Sequence, residues 1–220
     1  MEFEEPFRSV YRIGGKLATR NLTPGRKVYG EELVRYKNAE YRAWNPYRSK
    51  LAAAIIKGMK GMKISEGSRV LYLGAATGTT PSHVSDIIGS KGRLFGVEIS
   101  ERNMREFVAL CESRDNMLPI LADAGHPEDY SDVVDNCDVI YQDIAVKNQA
   151  EVLMKNSGML DSGGYAYFVI KSQSVDISKA PEAVYRDELA KLKGTFEVLE
   201  RIDIEPYDSM HLFVVLRKVH

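Results

Sequence analysis

Apolar positions recur with two different periods that alternate along most of the chain. Val70–Leu73 and Tyr165–Ile170 are short, uninterrupted apolar runs, the pattern of strands buried on both faces of a sheet. Between such runs the apolar side chains fall at helical spacing, as at Met104, Phe107 and Cys111. This alternation predicts an α/β fold, with a mostly parallel sheet and helices on both of its faces.

The final two predicted strands have a different relation to each other. Thr195–Ile204 and His211–Val219 are joined by too few residues for a helical crossover. The two strands must therefore be antiparallel, and we expect one reversed strand at the C-terminus of the sheet.

Residues 1–45 lack this alternation and favour a small β-rich subdomain. Val10–Leu17 alternates around a Gly-Gly pair, which is the signal of a hairpin. Asn45 and Pro46 are the residue types of a helix N-cap and of a first helical position, so we predict that a helix begins there. The chain is accordingly divided into an N-terminal subdomain and a main domain, residues 46–220.

The strand Val70–Leu73 leads into a turn and a helix, as in the first half of a nucleotide-binding βαβ unit. Gly74 and Gly78 lack a Cβ atom, so a ligand can approach the backbone of the turn. Thr80 followed by Pro81 predicts the N-cap and the first position of the next helix.

The spacing within this unit indicates which nucleotide it would bind. A dinucleotide fingerprint requires glycines where this chain has Ala76 and Thr79. Glu98 ends the next predicted strand 24 residues after Gly74, close to the roughly 20 expected of a carboxylate that binds ribose hydroxyls. A ribose is therefore favoured over a pyrophosphate, and a turn with a purely structural role is the alternative.

Charged side chains follow four of the predicted strands at the point where each strand ends. They are Glu98, Asp123, Asp143 and Lys171. In open α/β sheets, ligands bind beyond the carboxyl ends of the strands, so we expect these four side chains to share one crevice.

Composition and charge narrow the class of protein. The 30 basic and 31 acidic residues give a net charge of −1, which argues against nucleic-acid binding by bulk electrostatics alone. Residues 1–45 nevertheless hold nine basic and six acidic residues, which suits an RNA-facing surface or an ordinary solvated one. No His/Cys cluster has the spacing of metal ligands, so no metal is expected.

The same composition indicates where the protein acts. Cys111 and Cys137 are too few for a disulfide framework and indicate a reducing compartment. Neither a signal peptide nor a long apolar segment is evident, so we expect a cytoplasmic protein that does not enter a membrane.

Several stretches together resemble the fibrillarin family, and most closely its archaeal members. They are distributed over nearly the full length of the chain: Leu17–Gly25, Val28–Glu31, Tyr41–Ala53, Leu71–Thr80, Tyr141–Ala145, Val169–Ser172 and Pro206-Tyr207 with His211. The resemblance implies a Rossmann-like methyltransferase fold, S-adenosylmethionine as the methyl donor, and 2′-O-methylation of ribose in rRNA, with tRNA as a further substrate left open.

The resemblance also assigns roles to individual residues. A catalytic quartet is implied at Lys50, Asp143, Lys171 and His211. The implied cofactor residues are Gly74, Ala76, Gly78, Thr79, Thr80, Glu98, Ile99, Asp123, Ala124, Asp143, Ile144, Ala145 and Val146. Of these, Thr79 and Thr80 would meet the methionine end, Glu98 the ribose, and Ile99 the adenine. The family usually has an aromatic residue in place of Ile99 and Gln in place of Val146.

The chain shows no RNA-recognition module of its own, such as aromatic ribonucleoprotein motifs or a zinc knuckle. The resemblance implies that a box C/D guide RNA selects the target, together with a Nop-domain scaffold protein and a kink-turn-binding ribosomal-type protein. Three alternatives remain open at this point: an NAD-dependent oxidoreductase, a non-catalytic subunit of a ribonucleoprotein, and a methyltransferase that acts on a small molecule or a protein.

Overall fold

The computed structural model describes residues 2–219, which form an N-terminal antiparallel sheet and a larger mixed sheet. The N-terminal sheet has the strand order β1-β2-β3-β5-β4. Its strands are β1 (Phe3–Phe7), β2 (Val10–Ile13), β3 (Lys16–Arg20), β4 (Leu33–Tyr36) and β5 (Ala39–Ala43). The predicted hairpin is the β2–β3 pair, in which Ile13 faces Lys16 across the Gly-Gly turn.

The larger sheet has seven strands in the order β11-β12-β10-β9-β6-β7-β8. The strands are β6 (Arg69–Leu73), β7 (Arg93–Glu98), β8 (Met117–Leu121), β9 (Cys137–Gln142), β10 (Leu160–Lys171), β11 (Phe196–Asp203) and β12 (His211–Lys218). Strand β12 pairs antiparallel with both β10 and β11, whereas the pairs among β6 to β10 are parallel. The prediction of one reversed strand at the C-terminus is confirmed.

Helices cover both faces of this sheet. They are α1 (Lys50–Ile56), α2 (Thr79–Ile88), α3 (Glu101–Cys111), α4 (Gln149–Asn156), α5 (Ser172–Val175) and α6 (Pro181–Lys191). Because side chains alternate along a strand, Val70 and Tyr72 of β6 join one apolar core with residues of α1, α2 and α3, while Leu71 and Leu73 join another with residues of α4 and α6. The α/β architecture predicted from the apolar pattern is confirmed.

Two predicted helix starts are wrong, and in both cases a different residue caps the helix. The first helix begins at Lys50, because Ser49 is its N-cap and accepts a hydrogen bond from the Ala52 N–H at 3.4 Å. Asn45 instead closes a turn, in which its side-chain oxygen accepts from the Tyr47 N–H at 2.9 Å. Pro46 therefore lies in that turn and not in the helix.

The second wrong start concerns the helix that follows the nucleotide turn. Helix α2 begins at Thr79, after Gly78, whose φ of 92° is left-handed. Thr80 is therefore inside the first turn of the helix, and Pro81 is the third helical residue. At that position a proline is tolerated, because its missing N–H would have had no partner within the helix.

The N-terminal sheet shares an interior with the main domain. Val10, Leu17 and Trp44 belong to the same apolar core as helices α1 and α2. A buried carboxylate on α2, Asp86, accepts hydrogen bonds from Thr19 of β3 and from other side chains described below. Within residues 2–219, no helix is long and apolar enough to cross a membrane.

Candidate active site

A crevice of about 380 Å³ opens at the carboxyl ends of the parallel strands, where the sequence places it. Of the predicted cofactor residues, ten line it: Gly74, Ala76, Glu98, Ile99, Asp123, Ala124, Asp143, Ile144, Ala145 and Val146. Val97, Asn103, Ala122 and Lys171 complete the lining. All four charged residues at predicted strand ends therefore meet in this crevice.

Glu98 is the buried carboxylate of the crevice. Its Oε2 accepts a hydrogen bond from the Ala76 N–H at 2.8 Å, and its Oε1 accepts one from the Ser100 N–H at 2.8 Å. Ala76 adopts a left-handed φ of 48°, which for a non-glycine residue is strained and is found preferentially at functional sites. Glu98 thus holds the turn after β6 in place, and each oxygen keeps a second lone pair for a hydroxyl donor.

The two glycines of the turn are required by the packing of the chain itself. A Cβ atom on Gly74 would lie 2.6 Å from the carbonyl oxygen of Asp143, and one on Gly78 would lie 2.4 Å from Leu110. Gly74 therefore lets the segment after β9 approach the turn after β6, and Gly78 lets α3 pack against it. The space that the sequence assigned to a ligand at these two positions is taken by neighbouring residues.

Three predicted cofactor residues lie outside the crevice lining: Gly78, Thr79 and Thr80. Thr80 is buried, and its hydroxyl donates to the hydroxyl of Ser49 at 3.0 Å. This contact joins the first turn of α2 to the N-cap of α1. In this structure Thr80 positions the start of α1 rather than contacting the crevice.

The predicted quartet forms a single charged cluster at the edge of the crevice. Asp143 lies between the two lysines, with its Oδ2 3.1 Å from Lys50 Nζ and its Oδ1 2.7 Å from Lys171 Nζ. Lys171 also donates to the carbonyl oxygen of Asp143 at 3.2 Å. Lys171 ends β10 directly opposite His211, the first residue of the reversed strand β12. The reversal of β12 is what places a histidine at the carboxyl ends of the parallel strands.

Asp208 is a further member of this cluster that the sequence analysis missed. Its Oδ2 lies 3.3 Å from Lys50 Nζ, and its Oδ1 lies 2.8 Å from His211 Nδ1. The available signal was its position three residues before His211 in the short β11–β12 connection. Asn103, which also lines the crevice, was missed as well, although it lies in the first turn of the helix that follows Glu98.

The electrostatics of the cluster favour the charged forms of Asp143 and Lys50. Burial raises the pKa of Asp143, but the ammonium groups of Lys50 and Lys171 outweigh it and leave this pKa below its usual value. Burial lowers the pKa of Lys50, but the carboxylates of Asp143 and Asp208 outweigh burial and leave this pKa above its usual value. Lys50 is therefore a fixed positive charge at neutral pH.

The other cavities described among residues 2–219 do not offer a comparable combination of groups. A larger cavity of about 540 Å³ lies beside the N-terminal sheet, where Tyr29, Trp44 and Tyr47 contribute to its wall, but it contains none of the predicted site residues. No group of three or more His, Cys, Asp or Glu side chains in the described part of the chain could hold a metal ion.

Comparisons with known proteins point to one family. The family model described as Fibrillarin matches residues 2–219. A fibrillarin-like rRNA/tRNA 2′-O-methyltransferase of Thermococcus sibiricus is 52% identical over 218 residues, which cover 96% of each chain. The crystal structure of Aeropyrum pernix fibrillarin in complex with natively bound S-adenosyl-L-methionine is 41% identical, with a TM-score of 0.91 over 98% of each chain. The crystal structure of a fibrillarin/Nop5p complex is 37% identical, with a TM-score of 0.88 over 96% of this chain and 98% of that one.

Proposed function

The chain belongs to the fibrillarin family, and on that premise we propose that it methylates the 2′-hydroxyl of ribose in rRNA and tRNA as the catalytic subunit of a box C/D ribonucleoprotein. S-adenosylmethionine is the methyl donor. The observation that carries the proposal is that Asp143 and Lys171 belong both to the crevice and to the charged cluster, so a methyl donor and an acceptor hydroxyl would meet at one place.

The crevice has the chemistry that S-adenosylmethionine needs. The buried carboxylate of Glu98 suits the ribose hydroxyls, and Ile99 with Ala122 offers an apolar wall beside the Asp123 carboxylate for the adenine. The segment from Asp143 to Val146 would line the sulfonium side. When bound, the cofactor supplies an electrophilic methyl group, and the chain's own residues have to orient the acceptor and manage its charge.

The charged cluster supplies that orientation and charge. Methyl transfer to a hydroxyl builds negative charge on the attacking oxygen as its proton departs, and fixed positive groups stabilise that charge. Lys50 and Lys171 provide two such groups, and the carboxylate of Asp143, which pairs with both, holds the two ammonium groups in place. We propose that the Lys171 ammonium, which alone of the two lines the crevice, assists departure of the hydroxyl proton to solvent as the ribose oxygen accepts the methyl group. Lys50 and His211 hold the acceptor ribose and its phosphate.

Selection of the target nucleotide is assigned to other molecules. The solved fibrillarin/Nop5p complex supports a Nop-domain scaffold as the protein partner. We further propose that a box C/D guide RNA pairs with the target and that a kink-turn-binding protein completes the particle, so base pairing reads the sequence, as in other RNA-guided systems. Cys111 and Cys137 are unpaired, which suits the cytoplasmic location that we propose.

The proposal is tested by transfer of tritiated methyl groups to RNA in the reconstituted particle, with the product mapped to single ribose positions. We expect transfer to require the guide RNA and the scaffold. Lys171→Met should slow transfer by about 100-fold or more while binding of S-adenosylmethionine changes less than about tenfold. Lys179→Met is the matched control, because Lys179 also pairs with a carboxylate, that of Asp187 at 3.2 Å, but lies outside the cluster.

Two outcomes would contradict the proposal. A wild-type particle that binds S-adenosylmethionine but transfers no methyl group would favour the non-catalytic subunit. Wild-type rates for Lys171→Met would remove Lys171 from the reaction and leave the methyltransferase assignment itself intact.

A further inference from the structure

Two aspartates with different surroundings lie near the turn between β11 and β12: Asp203 ends β11, and Asp208 lies in the connection that follows. The carboxylate of Asp203 accepts a hydrogen bond from the Glu205 N–H at 3.0 Å, so it stabilises the start of that connection. Asp208 makes no such backbone contact among the described residues. Its carboxylate faces two side chains of the charged cluster, Lys50 at 3.3 Å and His211 at 2.8 Å. A local structural role for Asp208 is therefore not evident.

The contact with His211 determines which ring nitrogen is free. In a neutral imidazole one nitrogen carries the proton and the other is an acceptor, and a carboxylate beside one of them draws the proton there. The Asp208 carboxylate, with Oδ1 2.8 Å from Nδ1, favours the proton on that nitrogen through its charge, although the two groups are not aligned as a hydrogen bond. When the ring is neutral, Nε2 is then the unprotonated nitrogen, available to a donor on the acceptor ribose.

The contact with Lys50 has a second effect. Lys50 has Asp143 on one side and Asp208 on the other, so its ammonium group is held from two directions. One carboxylate thereby links the lysine on α1 to the histidine on β12. Side chains from these two elements would otherwise adjust independently when RNA binds.

Resting on the function proposed above, we propose that Asp208 is a positioning residue for methyl transfer, which fixes the tautomer of His211 and the place of the Lys50 ammonium. It is not a cofactor residue, because it does not line the crevice. Asp208 is the charged group in contact with His211, Lys171 lies opposite it on β10, and Lys50 and Asp143 are linked to it through their ion pairs with these two residues.

The test compares Asp208→Asn and Asp208→Glu in the reconstituted particle. For Asp208→Asn we expect the rate of methyl transfer at saturating substrates to fall by about 10- to 100-fold, which is part of the effect of removing an acid–base group. The Kd for S-adenosylmethionine should stay within about twofold of the wild-type value. Asp208→Glu should recover at least half of that loss on a logarithmic scale. Asp187→Asn is the matched control, since Asp187 is also paired with a lysine and is 41% exposed, against 36% for Asp208.

One further readout distinguishes positioning from a general effect on folding. In a His211→Ala background, Asp208→Asn should cost less than about threefold, because it acts through the same group. A loss of activity caused by unfolding would instead persist in that background.

The outcomes separate this inference from the function on which it rests. If the wild-type particle methylates RNA but Asp208→Asn matches it in rate, Asp208 has no positioning role. The same conclusion follows if Asp208→Asn loses activity equally with and without His211. If the wild-type particle transfers no methyl group at all, the proposed function fails instead.

Discussion

The carboxylate of Asp86 ties the N-terminal sheet to the main domain, and its replacement by asparagine should weaken the whole molecule. Asp86 is fully buried on α2 and accepts from Thr19 Oγ1 at 2.7 Å and from the Leu22 N–H at 3.0 Å. It also forms ion pairs with Arg42 Nη1 and Arg114 Nη1, both at 2.8 Å. Asp86→Asn keeps the shape of the side chain and removes the charge that the two guanidinium groups share.

The size of the effect follows from what each arginine retains. Arg42 keeps the carboxylate of Glu31 at 2.6 Å, whereas the remaining hydrogen-bond partners of Arg114 within residues 2–219 are neutral oxygens of Thr23, Ser82 and Ser85. Because the side chain of Arg114 is fully buried, its guanidinium becomes a buried charge without a counter-ion. Breaking a buried pair in this way costs about 3–5 kcal/mol, a large part of the roughly 5–15 kcal/mol that stabilises a typical domain.

Urea unfolding followed by two signals measures this cost. Trp44 is the one tryptophan of the chain and stacks on His83 at 4.8 Å, so its fluorescence reports the contact between the N-terminal sheet and α2. Far-ultraviolet circular dichroism reports the helices of the main domain. We expect the two signals to change together in the wild type, and both midpoints to fall in Asp86→Asn. The exposed Asp115→Asn is the control and should change the free energy of unfolding by less than about 0.5 kcal/mol.

Two results would refute this reasoning. A loss of less than about 1 kcal/mol in Asp86→Asn would mean that the ion pairs contribute little beyond their own desolvation. A Trp44 transition that precedes the circular dichroism transition in the wild type would mean that residues 1–45 unfold independently. In that case the division at residue 45 would mark two units of stability and not only two sheets.

Three further predictions concern pH and the cofactor crevice. Burial lowers the pKa of His83 well below its usual range, and Arg42 and Arg114 lower it further, so only the unfolded chain takes up a proton at this residue below about pH 6.5. The free energy of unfolding should therefore fall with pH, by about 1.4 kcal/mol between pH 7.5 and 5.5 in urea titrations. His83→Gln should flatten this slope, whereas the control His126→Gln should not. Glu98→Ala should raise the calorimetric Kd for S-adenosylmethionine by about 10- to 100-fold, with Glu101→Ala as control, and an unchanged Kd would remove Glu98 from the ribose site. Ile99 is 65% exposed at the crevice. Ile99→Phe should lower the Kd for S-adenosylmethionine by about two- to tenfold, because the phenyl ring can stack on the adenine. Weaker binding would place the adenine elsewhere.

The positions of most strands in the larger sheet could be predicted because the apolar residues of a buried strand form a recognisable run in the sequence. Strand β9 could be placed because its centre, Val139–Tyr141, is an uninterrupted apolar run and the charged Asp143 follows the strand directly. The antiparallel end of the sheet followed from a short connection alone. Charged residues at strand ends were equally predictable, because the edge of a parallel sheet is a fixed place in the fold.

The errors arose where a residue type has two local uses. Asn45 can cap a helix or close a turn with the same side-chain oxygen, and it closes a turn here because Ser49 caps the helix. Asp208 was overlooked for a related reason, because an aspartate in a short connection usually serves the turn. Only its distances to Lys50 and His211 show that Asp208 contacts the charged cluster, and those distances depend on how α1 and β12 pack.

The start of α1 also explains how the turn after β6 and the charged cluster are connected. Ser49, whose own backbone is extended, follows the turn at Asn45 and caps α1, so Lys50 is the first helical residue and its side chain reaches Asp143. The hydroxyl of Thr80 donates to Ser49 at 3.0 Å, and Thr80 lies in the first turn of α2, directly after the turn that Glu98 holds. Two hydroxyl groups thus fix the distance between the crevice and Lys50. A helix that began at Pro46, as the sequence pattern suggests, would place Lys50 one turn further along α1. The position of the Lys50 ammonium group would then no longer be fixed by the contact between Thr80 and Ser49.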